Sequence, residues 1–185
     1  MITEIDKNTA LVLIDLQNGI TAMPVIHKVE HILQNAATLV DAFRAAQLPI
    51  VVVNVNPAST ILRKDAKQNS FEPTTEWLQI AEQIKTKPED IFITKQTWNA
   101  FTNPLLNQEL KQRKITGIVL AGISTSIGVE GTARNANELG YNLTFAEDAM
   151  TDLFADAHEH SLKRIFPRIG EVGKTEDIVQ LLKNL

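Results

Sequence analysis

At 185 residues, 44% hydrophobic and 22% charged, the chain has the make-up of one globular domain spanning 1–185 and able to bury a real core. A formal net charge of −4 argues against nucleic acid or an anionic membrane as a partner, since both demand a basic excess. No apolar run is long enough to span a bilayer, the first residues lack the pattern of a leader, and cysteine is absent, so the expected setting is the cytoplasm, without disulfides or thiolate metal sites.

In chain order, Thr9–Ile14 is a continuous apolar run without alternation, the pattern of a central parallel strand covered on both faces. It ends in the loop signal Asp15-Leu16-Gln17-Asn18-Gly19. Residues 25–47 carry helical spacing at Val29, Ile32, Leu33, Ala36, Leu39, Val40 and Phe43, and Leu48-Pro49 precedes a second buried strand over 50–53. Residues 54–76 are polar and irregular, a length of loop that suggests a lid or an interface. A short helix is expected over 77–84, a third strand over 90–95 closing on Lys95, and a helix over 105–113.

Ile118, Val119, Leu120 and Ala121 form a fourth strand, ended by Gly122, with a helix over 126–139 stopped at Gly140. A fifth strand (142–146) ends in Glu147-Asp148-Ala149. A helix (155–165), an edge strand (170–173) and a last helix capped by Thr175 complete the chain. The alternation predicts an α/β fold: three α/β/α layers, Rossmann-like, with a mostly parallel six-stranded sheet and helices on both faces.

Ligands of open parallel sheets bind beyond the carboxyl ends of the strands. Three strand ends here bear chemistry: Asp15, Lys95 and the turn from Gly122 to Gly128. Burial pushes a carboxylate toward its protonated form while an adjacent ammonium pulls the other way, so an Asp–Lys pair is a tunable proton donor or acceptor. The turn places backbone N–H groups and a helix dipole at one spot, a suitable anion site.

These residues resemble the isochorismatase-like hydrolases, a superfamily that includes nicotinamidases and other amidases. The resemblance lies in Leu13-Ile14-Asp15-Leu16-Gln17, Lys95 with Trp98-Asn99-Ala100-Phe101, Gly122-Ile123-Ser124-Thr125, Thr132-Ala133-Arg134-Asn135-Ala136, and Gly140-Tyr141 leading to Glu147-Asp148-Ala149. It implies a catalytic set of Asp15, Lys95 and the residue at 128, where thiol-based members carry a nucleophilic Cys and this chain carries Gly128. The isochorismatases also tend to have glycine there and hydrolyse a vinyl ether without a covalent intermediate. By that likeness Asp15 is the general acid and Lys95 balances charge. Those enzymes carry an aromatic residue and a His in the turn, where this chain has Ser124 and Ser126.

The resemblance further implies substrate contacts from Gln17, Trp98, Phe101, Ile123, Ser124 and Ile127, a cis peptide bond at Ile123–Ser124, and assembly into a homo-oligomer. For Gln17 a loop-capping role weighs evenly with pocket lining, and for Trp98 and Phe101 ordinary packing does. Neither metal nor cofactor is expected, since Asn54-Val55-Asn56-Pro57 lacks the Asp/His cluster of the metal-binding nicotinamidases. Surface positions are the default for His27, His31, His158 and His160. Ser124 and Ser126 have no His placed as a base, and Ser126 or Thr125 is a plausible helix cap. Glu130 and Arg134 pair one turn apart, and Asp148 is structural. The expected function is metal-free hydrolysis of a small molecule. A catalytically silent scaffold is the alternative, and a nucleotide binder is disfavoured because no G-x-G-x-x-G follows the first strand.

Overall fold

The computed structural model describes residues 2–57 and 71–185. In chain order these form β1 (Thr9–Ile14), α1 (Asn18–Thr21), α2 (Val29–Ala45), β2 (Ile50–Val55), α3 (Thr75–Leu78), β3 (Ile91–Lys95), α4 (Pro104–Gln112), β4 (Gly117–Ile123), α5 (Glu130–Glu138), β5 (Asn142–Thr151), α6 (Ala155–His160), β6 (Glu171–Gly173) and α7 (Thr175–Leu182). The strands make one six-stranded sheet in the order β3-β2-β1-β4-β5-β6, and every pairing is parallel.

β1 lies at the centre, and all six of its residues are buried. Leu11 and Leu13 pack into a core with α2 and α7, whereas Ala10, Val12 and Ile14 pack into a second core with Leu106 and Leu110 of α4 and Ala133 and Ala136 of α5. Two covered faces explain the missing alternation. At the edge of the sheet β3 does alternate, with Ile91, Ile93 and Lys95 buried and Phe92 and Thr94 exposed. α2 has no side-chain cap at Lys28, but buries Ile32, Leu33, Ala36, Leu39, Val40 and Phe43. A missing cap costs roughly 1 kcal/mol, while each large apolar side chain contributes about 1.5–3 kcal/mol on burial. Packing decides this helix.

Several boundaries differ from the expected ones, each for a hydrogen-bonding reason. α2 starts at Val29, not at 25, because the amides of Ile26 and His27 bond to Asp152 O and Thr151 Oγ1 at the end of β5. The helix expected over 77–84 splits into α3, capped by Thr74 Oγ1, and a 3-10 turn (Glu82–Ile84). Between them, Asn18 N donates to Gln79 O and Ala81 N to Leu16 O, which stitches this stretch to the end of β1.

β5 runs to Thr151 instead of stopping at 146. Its ladder with β4 pairs Leu120 with Phe145 and then Gly122 with Met150, so Ala146 to Ala149 form a bulge and Glu147 and Asp148 lie inside the strand. The helix expected over 155–165 is α-helical to His160 and continues as a π-helical turn, Ser161–Ile165. The segment read as a lid or interface lies, for residues 58–70, outside the described residues. Among the described residues no helix is long and apolar enough to cross a membrane.

Thr175 does not cap the last helix; it is the first helical residue. Asp148 Oδ1 accepts both its amide and its hydroxyl at 2.8 Å, tying α7 to β5. Asp148 is thus structural, as expected, but acts as the cap itself. Asp148→Ala is expected to lower unfolding free energy by about 1–2 kcal/mol and Asp148→Asn by less, since the amide oxygen still accepts; urea denaturation of the three proteins checks this.

Candidate active site

Three strand ends converge as the topology requires. Asp15 leaves β1 with φ +51°, in the left-handed region that a non-glycine residue adopts at a cost of order 1 kcal/mol. Its amide remains bonded to Val53 O, and the twist turns its carboxylate toward Lys95. Lys95, closing β3, reaches over β2 and donates to Asp15 Oδ2 at 2.6 Å and to Thr97 O at 3.0 Å. Asp15 is only 4% exposed and Lys95 only 2%.

Burial pushes the Asp15 carboxyl up, and the Lys95 charge and hydrogen bond oppose this without cancelling it, leaving a pKa of about 6. Only one carboxylate oxygen is engaged. Asp15 Oδ1 is buried with no hydrogen-bond partner among the described residues, so it can hold a proton or meet an incoming atom without breaking an existing bond.

The third strand end supplies the facing wall. Gly122 (φ +129°) lies so close to β1 that a Cβ there would be 2.1 Å from Ile14 O. Only glycine permits that approach. The cis Ile123–Ser124 bond follows, as expected, and then a π-helical turn, Thr125–Val129, that leads into α5. A Cβ on Gly128 would sit 3.3 Å from Asp15 Oδ2 and 2.8 Å from Ile14 Cγ2. The backbone at 128 therefore abuts the carboxylate, and the methyl of fully buried Ile14 occupies the room that a side chain at 128 would need.

Between these elements lies a cleft of about 260 Å³. Asp15 and Lys95 are the charged groups lining it; Ile20, Met23, Val55, Trp98, Ile127 and Leu153 give it apolar walls, and Ser124 a hydroxyl. Trp98 is 65% exposed and sits over α5, where a Cβ on Gly131 would be 3.3 Å from its own Cβ.

Asp15, Lys95, Gly128, Trp98, Ile123, Ser124 and Ile127, all expected at the site, line this one cleft. Gln17 and Phe101 do not. Gln17 is fully buried: its Oε1 accepts from Val55 N and its Nε2 donates to Val55 O and Trp77 O, so its amide is spent on holding β1 and β2 level. Phe101 stacks on Tyr141, ring centroids 5.9 Å apart, and packs against the second core. Glu130 and Arg134 do pair, at 2.8 Å.

Neither Ser126 nor Thr125 caps the turn. Asp152 Oδ2 accepts the Ser126 amide at 2.7 Å, and Thr125 Oγ1 donates to Thr151 O. Nor are all four histidines at the surface or on helices: His158 is 6% exposed and meets His27, which precedes α2, edge-on at 5.0 Å. Asp152 and His158 went unrecognised because their partners are 26 and 33 residues away and β5 was expected to end early. Among the described residues, no group of three or more His, Cys, Asp or Glu side chains is arranged to hold a metal ion.

Gly128→Ala is expected to destabilise the protein by about 1–3 kcal/mol, as overpacking does. In an Ile14→Ala background, where the clashing methyl is gone, that penalty is expected to shrink toward zero; a double-mutant cycle in urea measures the coupling.

Comparison with known proteins agrees with this architecture. The family profile described as the isochorismatase domain matches residues 9–177. An isochorismatase family protein of Escherichia coli, YecD, is 39% identical over 184 residues, covering 95% of this chain and 97% of that one. The solved structure of an isochorismatase family protein from Burkholderia thailandensis superposes with a TM-score of 0.93 at 36% identity, covering 99% of this chain and 100% of that one. Further away, nicotinamidase 3 of Arabidopsis thaliana is 26% identical over 166 residues, 86% of this chain and 81% of that one.

Proposed function

The chain belongs to the isochorismatase family of hydrolases, as a member without cysteine, and from that premise we propose that it hydrolyses a small molecule through Asp15 and Lys95 with no covalent intermediate. The observation that carries this reading is the Asp15 carboxylate: one oxygen held by Lys95, the other buried and without a partner among the described residues, in a cleft where position 128 offers no nucleophile.

The chemistry that suits it is cleavage of a vinyl ether. Asp15 gives its proton to the terminal alkene carbon, and the electron pair of the double bond forms the new C–H bond. The adjacent carbon becomes an oxocarbenium ion. Water adds to that carbon and returns a proton to the Asp15 carboxylate; as the hemiketal breaks its C–O bond its hydroxyl proton passes to the leaving oxygen, releasing a ketone and an alcohol. Lys95 stabilises the carboxylate that Asp15 becomes, through the bond it already makes. A carboxyl titrating near 6 suits this task, since it keeps a protonated fraction near neutral pH yet remains acidic enough to give the proton up.

Trp98, Ile123, Ser124 and Ile127 would contact the substrate. The apolar walls favour a compact, unsaturated ligand, and the solvation lost there raises the reactivity of the acid. The same reading takes the protein as a cytoplasmic homo-oligomer whose partner is a small molecule rather than nucleic acid or membrane, in keeping with its net charge of −4 and its exposed aromatic side chains Trp98 and Phe154 near the cleft.

Pyruvate release from isochorismate is the first assay. As a general acid, Asp15 is active when protonated, so kcat/KM is expected to be level below about pH 6 and to fall roughly tenfold per unit above it. Asp15→Asn is expected to lower kcat by about 10²–10⁴-fold. A profile that rises through pH 6 would make Asp15 a base instead, and turnover unaffected by the substitution would remove it from the mechanism.

A further inference from the structure

The turn that carries Ile127 and Gly128 begins at Thr125, which is fully buried. Thr125 Oγ1 makes two contacts: it donates to Thr151 O at 3.0 Å and lies 2.8 Å from His158 Nδ1. A hydroxyl has one proton, and here it is committed to the Thr151 carbonyl. The short contact to His158 therefore requires Nδ1–H to donate, which fixes the tautomer of the ring. The His158 side chain comes from α6 and the Thr151 carbonyl from the end of β5, so two separate elements grip one hydroxyl at the root of the turn.

We propose that His158 is a positioning residue for the active site: through its Nδ1–H bond to Thr125 it holds the 125–129 turn in the register that sets Ile127 and Gly128 against Asp15. The inference rests on reading that turn as the substrate-facing wall. Burial and the neighbouring His27 lower the His158 pKa against the pull of Asp152 and Glu159, which keeps the ring neutral with Nε2 bare. Among the described residues His158 makes no hydrogen bond to a residue lining the cleft and reaches the turn through Thr125, so its effect is on geometry, not on the proton that Asp15 carries. Asp152 Oδ2 on the Ser126 amide is a second anchor one residue along, and limits how far the turn can move if His158 is lost.

Nitrogen-15 NMR of the imidazoles in the full-length protein reads the tautomer directly: His158 is expected to carry its proton on Nδ1, and a bare Nδ1 would overturn the proposal. His158→Leu and Thr125→Val each delete the bond. Each is expected to shift the Ile127 and Gly128 amide resonances and to lower kcat by roughly 3–10-fold with KM nearly unchanged. The double variant is expected to be no worse than Thr125→Val alone, which already loses the Thr151 bond as well. His158→Asn, whose amide N–H can take the place of Nδ1–H, is expected to restore both readouts to near the parent value. Additive losses, or unmoved Ile127 and Gly128 resonances in a folded His158→Leu or Thr125→Val protein, would overturn it. The resonances answer even if no hydrolysis is found, so failure of the proposed function and failure of this inference are told apart.

Discussion

The bond between Lys95 and Asp15 is the constraint on which the rest of the site depends, because either group is costly to bury without the other. Taking one ion into a protein interior costs several kcal/mol, and removing one member of a buried pair typically costs about 3–5 kcal/mol. The pair spans two strand spacings, with β2 between its members, a distance of roughly 10 Å between strand axes. A long lysine side chain from one side and a carboxylate turned inward by a left-handed backbone from the other bridge that gap. The levels at which β1, β2 and β3 end must therefore match closely. Gln17 does much of that matching, with both ends of its amide on the Val55 backbone and so continuing the β1–β2 ladder with a side chain.

That arrangement shows where sequence reading succeeds and where it runs out. The parallel sheet was legible because Thr9–Ile14 and the later apolar runs carry their burial in their composition. Asp15 and Lys95 were legible because a charge closing an apolar strand stands out locally, and the resemblance to a hydrolase family placed Gly128 beside them. Gln17 and Phe101 stayed open between two roles for a common reason. A polar or aromatic residue next to a site can face the ligand or brace the frame, and only three-dimensional contacts separate the two. Asp152 and His158 left no local trace, since what makes them matter is a partner on another element.

The site divides into two kinds of parts. Asp15, Lys95 and the apolar walls provide electrostatics: one ion pair in a largely apolar cleft, with one carboxylate oxygen unpartnered among the described residues. The turn after β4 provides shape; Thr151 and His158 hold it from outside through the Thr125 hydroxyl and Asp152 through the Ser126 amide, all at or beyond the end of β5. This gives the bulge in β5 a purpose within the fold. By letting the strand resume pairing at Met150 and Thr151, it brings those anchoring groups level with the carboxyl edge of the sheet, where Asp15 and Lys95 lie.

The methyl of Ile14 against Gly128 bears on how such a protein can change over generations. A thiol introduced at 128 would arrive where Ile14 Cγ2 already stands, and so would carry a folding penalty before it gave any chemistry. The order of substitutions matters: position 14 has to become smaller first, yet a smaller residue there opens a void under glycine and is itself disfavoured. Each single step runs downhill in stability while the pair together need not. The two positions are thus coupled through packing, and a side chain at 128 calls for a matching change at 14.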